Sequence, residues 1–596
     1  MLRNYVLAGL LLASGPLAAQ SISLEIGDAG DGLRGDIEAA SLTLGLEEQE
    51  EVAPQDIVAA ARADYRRILT ALYSAGYYGG TVSIRINGRE AADIAPLDAP
   101  RQISAVVIDV DRGPRFDFGR VGVAPLPPNT TLPDRFATGE PARANVIRES
   151  VSTGVNAWRD IGYAKARPAD QTIVARHPQR ELDVNVTLAP GQQLTFGPLT
   201  INGNEDVRTS AIARIAGFPT GEIYDPDAIT TVERRLRKTG AFDSVALTEA
   251  DEIGPNATLP FTLQIVESKP RRFGFGLELS SIEGLLVSAF WMHRNAFGGA
   301  ERFRVEGEVS GIGGETGGID YKIATSLNIP AVYGPKTDFL ATATLSRLDE
   351  PEFLLDSIAT EASLTRLIRD DLTANVGIGL LAAREETALG TREYILLTAP
   401  LGFELERRND VTNPTSGYYV ELDATPFLSL DGAGDGGRIY ADARAYASFG
   451  TDDRFTIAAR GQIGSVIGVD ALTAPADFLF YSGGGGTVRG QPYQSLGLET
   501  ADNGGVIQTG GLSFAGAQLE ARVGVTENIG VVGFYDYGFV GSTATPLEDG
   551  EWHAGTGIGV RYNTGIGPIR LDIGTPANGD DAFGSVQVYI GIGQAF

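Results

Sequence analysis

Residues 584–596 read GSVQVYIGIGQAF, and two kinds of residue alternate along this stretch. One parity holds apolar side chains, namely Val586, Val588, Ile590 and Ile592. The last residue, Phe596, shares that parity. A period of two indicates a β-strand with one apolar face. Because an open strand edge is not tolerated in lipid, we predict that this stretch is the closing strand of a membrane β-barrel.

The composition limits the classes of protein that fit the chain. Its 596 residues include 76 glycines, about twice the ordinary share, which favours turns and strands over helices. The absence of cysteine excludes disulfides and is compatible with an oxidising compartment. The net charge of −28 argues against nucleic acid as a partner, because that partner requires a basic surface.

The first twenty residues have the features of an export signal. Arg3 supplies the positive start, residues 5–13 form a short apolar core, and small residues precede Gln20. We therefore predict a secretory signal peptide over residues 1–19, with a buried first helix as the alternative. No later run of about 18 apolar residues follows, so the exported chain is expected to be periplasmic, secreted or a β-barrel.

Three amphipathic helices are predicted before residue 270. Their apolar faces comprise Ile57, Ala61, Tyr65, Ile68 and Leu72; Ile147, Val151, Val155 and Trp158; and Ile229, Val232 and Leu236. Each helix is expected to end at a glycine in the left-handed conformation: Gly76, Gly162 or Gly240. These glycines are 86 and 78 residues apart, and a strand-like stretch follows each one.

A second marker repeats at the same spacing. The stretches GPRFDFG and GQQLTFG begin at Gly113 and Gly191, which are 78 residues apart. A unit of about 80 residues therefore recurs, with the predicted order strand, helix, helix, strand, strand. One large α/β domain with chance internal similarity is the alternative.

This order resembles the POTRA module of outer-membrane transport and assembly proteins. On that resemblance, POTRA 1 covers residues 20–111, POTRA 2 residues 112–190 and POTRA 3 residues 191–269. Such a module offers an exposed sheet edge, to which an extended client segment could add as a further strand.

From residue 270 onward, alternation replaces the helical period. Examples are residues 303–310, 401–406, 439–448 and 568–573. Charged residues at every second position suit a membrane strand only if one face lines a wet lumen. At about 20 residues per strand and turn, residues 270–596 predict a transmembrane barrel of about 16 antiparallel strands. A soluble β-sandwich shows the same alternation and is the alternative.

Three Gly- and Asp-rich stretches are predicted to be outer loops: residues 311–318, 431–437 and 472–503. The longest contains GGGGTVRGQPYQSLG at residues 483–497. Its Val488, Arg489 and Gly490 look like the V-R-G motif of the outer-membrane polypeptide-transport and assembly superfamily.

Three further stretches carry the same resemblance. An F-x-D-x-G pattern is present as Phe534, Asp536 and Gly538, and residues 407–418 and 555–572 are similar to the superfamily's other signatures. The resemblance implies that the loop folds back into the lumen and that Arg489 meets Asp536.

Elementary electrostatics supports that pairing, because an arginine in a narrow lumen needs a carboxylate. A solvated position on the loop is the alternative for Arg489. The superfamily motif usually continues with an aromatic residue, whereas this chain has Gln491. Tyr493 could fill the same space.

No catalytic, cofactor-binding or metal-binding residues are predicted, and the protein is not expected to be an enzyme. The three histidines, His177, His293 and His553, lack the spacing of metal ligands. No G-x-S-x-G element accompanies them that would indicate a nucleophilic serine.

The barrel seam is predicted between the first strand, near residues 272–279, and the last, near residues 584–596. The candidate seam residues are Gly274, Gly276, Gly591, Gly593 and Phe596. Glycine weakens a strand, so a client strand could pair with an opened edge there.

Three POTRA copies before a 16-stranded barrel look most like the TamA branch, a family of translocation and assembly module subunits. That resemblance implies insertion of autotransporter-like barrel clients, with an inner-membrane-anchored TamB-like partner docking at POTRA 1. It also implies contact with outer-membrane lipid and a location in the bacterial outer membrane, with the POTRA domains in the periplasm. A two-partner secretion pore and a passive channel are the alternatives.

Overall fold

The structure is a computed structural model of the chain. It describes residues 21–27, 31–46, 52–280, 284–314, 317–388, 390–432, 434–450, 453–502, 505–526, 528–565, 567–579 and 582–596. The predicted signal peptide at residues 1–19 lies outside the described residues. Two compact units are distinguished. The first extends to Pro198 and includes Pro219–Ala228 and Ala250–Pro260, and the second comprises Leu199–Phe218, Ile229–Glu249 and Phe261–Phe596.

The part of the chain before residue 270 contains all five α-helices of the described residues. They are α1 Asp31–Ala40, α2 Pro54–Ser74, α3 Ala144–Asp160, α4 Thr209–Ala216 and α5 Pro226–Lys238. The strands there are β1 Ser21–Ile26, β2 Thr81–Ile86, β3 Arg89–Glu90, β4 Ala105–Asp111, β5 Asp117–Ala124, β6 Arg167–Arg176, β7 Glu181–Ala189, β8 Thr195–Asn202, β9 Phe242–Glu249 and β10 Thr258–Glu267. Among the described residues, no helix combines the length and apolar content needed to cross a bilayer.

These strands form three small sheets with the orders β1-β4-β2-β3, β5-β7-β6 and β8-β10-β9. The three predicted amphipathic helices are confirmed as α2, α3 and α5. Two residues after each helix stands the expected glycine with positive φ, at +94° for Gly76, +96° for Gly162 and +70° for Gly240. The glycines therefore end the helices because they adopt a conformation that other residues avoid.

The second repeat departs from the predicted element order. Between β5 and α3 the chain forms turns, and the expected first helix is absent from residues 125–143, all of which are described. Five prolines lie in this stretch, at positions 125, 127, 128, 133 and 141. Proline lacks the backbone N–H that a helix interior requires, which explains why the prediction of two helices is wrong here.

From residue 271 onward the described chain is almost entirely strands. They are β11 Arg271–Ser280, β12 Gly284–His293, β13 Arg302–Ile312, β14 Asp320–Ile329, β15 Thr337–Asp349, β16 Phe353–Arg369, β17 Leu372–Thr387, β18 Gly390–Thr398, β19 Leu401–Glu406, β20 Gly417–Ser429, β21 Gly436–Phe449, β22 Phe455–Ile467, β23 Leu498–Asp502, β24 Gly505–Thr509, β25 Ser513–Gly524, β26 Ile529–Gly541, β27 Gly550–Thr564, β28 Gly567–Pro576 and β29 Gln587–Ile592. All except the β23–β24 hairpin belong to one 17-stranded sheet, in which the strands follow one another in chain order.

The predicted barrel of about sixteen strands agrees with this sheet. β18 and β19 both pair with β17 on one side and with β20 on the other. They are two parts of one strand interrupted at Pro400, which cannot donate a hydrogen bond to the ladder. Counting β18 and β19 as one strand reduces the seventeen of the sheet to sixteen.

The two faces of the sheet differ as the alternation predicts. Large apolar side chains that are 40–70% exposed point to the exterior, among them Leu345, Ile358, Ile378, Ile395, Leu519, Ile558, Leu571 and Ile590. Buried charged side chains point to the interior, among them Glu385, Asp442, Glu520, Arg522, Asp536, Arg561 and Asp572. An apolar exterior with a polar interior is the arrangement of a transmembrane β-barrel.

We call the end where β11 begins and β29 finishes the proximal end, and the opposite end the distal end. All three predicted outer loops lie at the distal end. The longest connection there, residues 468–512 between β22 and β25, is called the lumen loop below. It contains the β23–β24 hairpin and a short 3₁₀ helix at Ala476–Phe478.

Candidate functional site

The motif Val488-Arg489-Gly490 of the lumen loop lies against the interior face of β25–β28. Arg489 is only 1% exposed although it carries a full charge. Its Nε and Nη2 donate to the two carboxylate oxygens of Asp536 at 2.7 and 2.9 Å, and its backbone N–H donates to the same group at 3.1 Å. A planar, bidentate pair of this kind fixes the orientation of both side chains.

Arg489 also contacts two further carboxylates, which the sequence patterns did not single out. Its Nη1 donates to Glu520 at 2.6 Å and to Asp572 at 3.2 Å. Glu520 and Asp572 are both fully buried. The arginine of the loop therefore connects β25, β26 and β28 through one guanidinium group.

Two more arginines complete this buried network. Arg522 donates to Glu520 at 2.8 Å, and Arg561 donates to Asp572 at 2.5 Å. Three arginines thus face three carboxylates, so the formal charges balance. Balance matters because an unpaired charge in a buried site costs far more than a paired one. We call these six side chains the charge network: Arg489, Glu520, Arg522, Asp536, Arg561 and Asp572.

The other two residues of the F-x-D-x-G pattern, Phe534 and Gly538, also lie against the lumen loop. The Phe534 ring lies under the Arg489 guanidinium, with Cζ 3.7 Å from the ring centroid, as in a cation–π contact. At Gly538 an added Cβ would collide with Ser482 and lie 2.8 Å from Val488. Ser482 itself is hydrogen-bonded to His553 at 2.8 Å. The glycine is therefore needed for the close approach of the loop to β26.

Gly490 has little room for a side chain. Its φ is +94°, and an added Cβ would lie 2.5 Å from the carbonyl oxygen of Thr575 on β28. Its N–H donates to the Tyr589 hydroxyl at 3.0 Å, which extends the contact of the loop to the last strand. On the wall, Gly555 and Gly574 leave space for the backbone of Arg489 and Gly490.

Gln491, which stands where the superfamily has an aromatic residue, makes a polar contact instead. Its Nε2 donates to the carbonyl oxygen of Ala554 on β27 at 2.8 Å. Tyr493 lies beside the loop's own Gly484, where an added Cβ would be 3.1 Å from the ring. The position after the motif therefore holds the loop to the wall by a hydrogen bond.

A second anchor of the lumen loop was missed by the sequence analysis. Arg392 on β18 donates to the carbonyl oxygens of Leu472, Thr473 and Ala474. It also forms a 2.7 Å ion pair with Glu385 on β17, which is 1% exposed. Glu385 in turn accepts from the backbone N–H of Ala476 at 2.9 Å. We call Arg392 and Glu385 the distal clasp.

Aromatic packing reinforces the distal clasp. The Phe478 ring meets Phe427 edge-on at 5.2 Å, and Phe480 stacks on Phe514 at 6.0 Å. Arg438 lies over the Phe480 ring at 4.6 Å. Residues 472–480 thus attach the loop to β17, β18, β20, β21 and β25, and residues 488–491 attach it to β25–β29. No sequence motif marks the clasp, since isolated Arg and Glu residues on strands are common.

The structure brings β11 and β29 next to each other, with Cα atoms within 8 Å. The ladder pairings run from β11 to β29 in order, and none joins these two strands among the described residues. Gly274 and Gly276 lie on the interior face of β11, where they leave room for Phe290 and Ser288. Gly591 lies on the interior face of β29, where an added Cβ would be 3.0 Å from Arg570.

Of the residues expected at the seam, Gly593 lies directly after the last strand and Phe596 lies elsewhere. The ladder of β29 ends at Ile592, and Gly593, with φ of +92°, turns the chain inward. Phe596 is only 5% exposed and packs beside Tyr446 and Ala458 on the interior. The parity that placed Phe596 on the apolar exterior face does not extend past Gly593, because a left-handed residue breaks the alternation of a strand.

Replacement of Arg489 by Met should destabilise the barrel by about 3–5 kcal/mol, because it leaves three buried carboxylates facing two arginines. Asp536→Asn should also destabilise it, whereas the double variant restores the balance and should lose less than the sum. Urea unfolding of the detergent-solubilised protein, followed by gel mobility, measures all three. Arg304→Met, which breaks an interior pair about one-third exposed, is the control and should cost under about 1 kcal/mol. Additive losses would contradict the charge network.

Substitution of Gly490 by Ala should release the motif from the wall, because the added methyl group meets the Thr575 backbone. Val488 is fully buried, and the chain has no cysteine, so Val488→Cys gives a single protected thiol. Labelling of that thiol by a maleimide should be slow, and Gly490→Ala should accelerate it at least tenfold. Gly486→Ala is the control, since an added Cβ there meets nothing within 4 Å. Equal labelling of both variants would refute the interpretation.

Two protein-family models match this chain. The Omp85 superfamily domain matches residues 295–596, about half of the chain. The POTRA model, described as a surface antigen variable number repeat, matches residues 194–268.

One curated relative is the outer membrane protein assembly factor BamA of Neorickettsia risticii. It is 22% identical over 508 residues, which cover 78% of this chain and 64% of that protein. The chain thus spans less than two thirds of that relative's length.

One solved structure shows the same fold, and a second is less similar. BamA from Haemophilus ducreyi lacking POTRA domains 1–3 superposes with a TM-score of 0.61 at 15% identity, covering 80% of this chain and 98% of that one. CdiB from Acinetobacter baumannii gives a TM-score of 0.49 at 12% identity, with 79% and 88% covered.

The family model spans the strands that carry the charge network and the loop motif that completes it. The chain is therefore an outer-membrane β-barrel protein with periplasmic POTRA modules, and it belongs to the Omp85 superfamily.

Proposed function

We propose that the protein assists client β-barrel proteins in entering the outer membrane, with the β11–β29 seam as the route. One observation carries this proposal. Every other pair of neighbouring strands in the barrel is joined by a ladder, whereas β11 and β29 lie side by side without one in the described residues. A strand edge that is not joined to its neighbour by a ladder is a template for an incoming strand.

The exposed exterior face of β11 and the short ladder of β29 support this role. Phe273, Phe275 and Leu277 on the exterior face of β11 are 66%, 87% and 77% exposed. Only six residues of β29 pair with β28, a short ladder for a barrel strand. Among the described residues, the last strand is therefore joined to β28 by a short ladder and to β11 by none. A client strand could pair with either edge through main-chain hydrogen bonds, with little demand on its sequence.

The periplasmic modules supply a second type of edge. β6 lies at the edge of its sheet, and its first eight residues are exposed on both faces. Ile173 and Val174 there are 43% and 47% exposed. An extended segment of a client or partner could add to this edge by β-augmentation.

The proposal also includes the domain boundaries and the branch of the superfamily. We assign POTRA 1, 2 and 3 to residues 20–111, 112–190 and 191–269, and the barrel to residues 270–596. Within the superfamily we favour a TamA-like role, in which a TamB-like partner docks at POTRA 1 and the clients resemble autotransporters. The three small sheets before the barrel are the observation that favours this branch.

A disulfide between β11 and β29 should block client insertion. The test uses one cysteine at Phe275 or Leu277 and one at Ile590 or Ile592, taking the pair that oxidises. Insertion of a barrel client into liposomes should fall at least tenfold on oxidation and recover on reduction. The control pair, Leu571→Cys with Ile590→Cys, joins two strands that are already paired and should have no effect. Full client insertion with the seam locked by the disulfide would contradict the proposed route.

A dedicated secretion pore or a passive channel is the competing function. The lumen loop argues against a resting open channel, because its two anchors hold it against the interior wall at two separate segments. A secretion pore would also be expected to have its exoprotein encoded in a neighbouring gene.

Bilayer conductance separates these functions. The unaltered protein should conduct poorly, whereas Arg392→Ala should raise conductance several-fold, because three carbonyl contacts and one ion pair of the distal clasp are lost. Arg366→Ala, on the exterior face of β16, is the control and should leave conductance unchanged. Large, stable channels in the unaltered protein, without client insertion into liposomes, would favour the passive channel.

A further inference from the structure

Two arginines flank the seam on its lumen side. Arg570 on β28 lies opposite Gly591 on β29. Arg272 on β11 shares the interior face of that strand with Gly274 and Gly276. Gly591 is one residue from the proximal end of β29, and Arg272 is one residue from the proximal end of β11. Both rims of the seam therefore carry a positive charge near the same end of the barrel. We call Arg570 and Arg272 the seam arginines.

The charge network leaves Arg570 without a carboxylate of its own. Asp572, two residues along β28 on the same face, accepts from Arg561 at 2.5 Å and from Arg489 at 3.2 Å. Among the described residues, Arg570 has neither an ion pair nor a hydrogen bond, and its Nε is buried. Arg561 lies directly opposite Arg570 across the β27–β28 ladder. Because like charges in this position repel, the Arg570 guanidinium lies towards β29 instead.

Gly591 gives the Arg570 guanidinium its place. An added Cβ at Gly591 would lie 3.0 Å from Nε and 3.6 Å from Cζ of Arg570. The guanidinium therefore lies over the backbone of β29, in the space that a side chain would fill. The other edge of β29 has no ladder among the described residues. A strand added to that edge would place a lumen-facing residue about 5 Å from Gly591, within reach of the guanidinium.

The β11 rim has the same arrangement. Arg272, Met292 and Arg304 lie in one row across β11, β12 and β13. Arg304 is paired with Glu306 at 2.8 Å. Arg272 has no ion pair within the described part of the chain, and its Cζ is 5.9 Å from the centroid of the Phe290 ring. On each side of the seam, the arginine farther from the seam holds the carboxylate and the nearer one does not.

This distribution of charge affects what can occupy the seam. If β11 and β29 closed on each other, the two seam arginines would approach without a carboxylate between them. Like charges on neighbouring strands are destabilising, whereas opposite charges are stabilising. A strand that carries an acidic group between the two rims would therefore pair there more favourably than the rims pair with each other.

We propose that the seam arginines bind a carboxylate of the client strand that enters the seam, at the level of Gly591. This inference rests on the proposed function and names what the seam recognises. Arg570 donates a planar fork of hydrogen bonds to the two carboxylate oxygens, and Arg272 adds a second positive charge from the opposite rim. The carboxylate belongs to a lumen-facing acidic side chain or to the chain terminus of the client, because both offer the same two oxygens.

The test measures peptide binding to the full-length protein in detergent by fluorescence anisotropy. Three labelled peptides alternate valine and threonine over about ten residues, the length of a membrane strand. The first has a central glutamate and an amidated end. The second has a central glutamine and a free terminal carboxylate, and the third has a central glutamine and an amidated end.

At least one of the two peptides with a carboxylate should bind about tenfold more tightly than the third, because a fork between arginine and carboxylate adds charge-assisted hydrogen bonds. The one that binds more tightly identifies the side chain or the terminus as the source. Equal affinities for all three peptides would overturn the proposal.

Variants locate the site through the ratio of these affinities, in which a general change of edge pairing cancels. Arg570→Gln should abolish the preference for a carboxylate, and Arg272→Gln should lower it several-fold. Gly591→Val keeps both charges but displaces the guanidinium, so it should also abolish the preference. Arg366→Gln makes the same charge change on the exterior face of β16 and should keep the full preference. A preference that survives in Arg570→Gln, or is lost equally in Arg366→Gln, would refute the assignment.

The failure of this inference is distinguishable from that of the proposed function. If the seam disulfide blocks client insertion but Arg570→Gln leaves the peptide preference unchanged, the route stands and the carboxylate site is wrong. If the preference depends on Arg570 but the disulfide leaves insertion intact, the carboxylate site stands and the route is wrong.

Discussion

The buried guanidinium of Arg489 is the interaction on which the rest of the lumen depends. It carries a full charge in a place where water is excluded, and it persists there because three carboxylates on three different strands face it. Two further arginines, Arg522 and Arg561, keep those carboxylates from being in excess. A network of this kind is costly to assemble but more costly to break, because each missing member leaves an uncompensated charge. The barrel wall from β25 to β28 and the lumen loop therefore hold each other in one arrangement.

This arrangement contrasts with the seam a short distance along the sheet. Between β25 and β28 the strands are joined by long ladders and by the charge network. β29 is attached to β28 by a short ladder, and its last residues turn into the lumen at Gly593. The Tyr589 hydroxyl receives a hydrogen bond from Gly490, so the last strand touches the loop motif without belonging to the network. The long ladders and the charge network therefore lie beside the seam at which we propose that this protein opens.

The lumen loop connects these features to the strands β17–β21. Its distal clasp uses a different chemistry from the motif, since Arg392 contacts mainly backbone carbonyl oxygens and aromatic rings cover the segment. Backbone contacts depend on the shape of the loop more than on its sequence. The two anchors can therefore differ in strength, and each restrains the loop independently of the other.

The sequence by itself indicated the two architectures and three of the five helices, and its resemblance to a known superfamily pointed to Arg489 and Asp536. Period and glycine placement are local properties, so α2, α3 and α5 could be located from them, and alternation revealed the barrel strands. The second repeat shows the limit, because its five prolines remove a helix that the repeat pattern led us to expect. Only the tertiary structure brought Glu520 and Asp572 to Arg489, joined Arg392 to the loop some 80 residues away, and turned Phe596 inward. Such contacts depend on strand register and on the path of a long loop, which the spacing of residues along the chain does not encode.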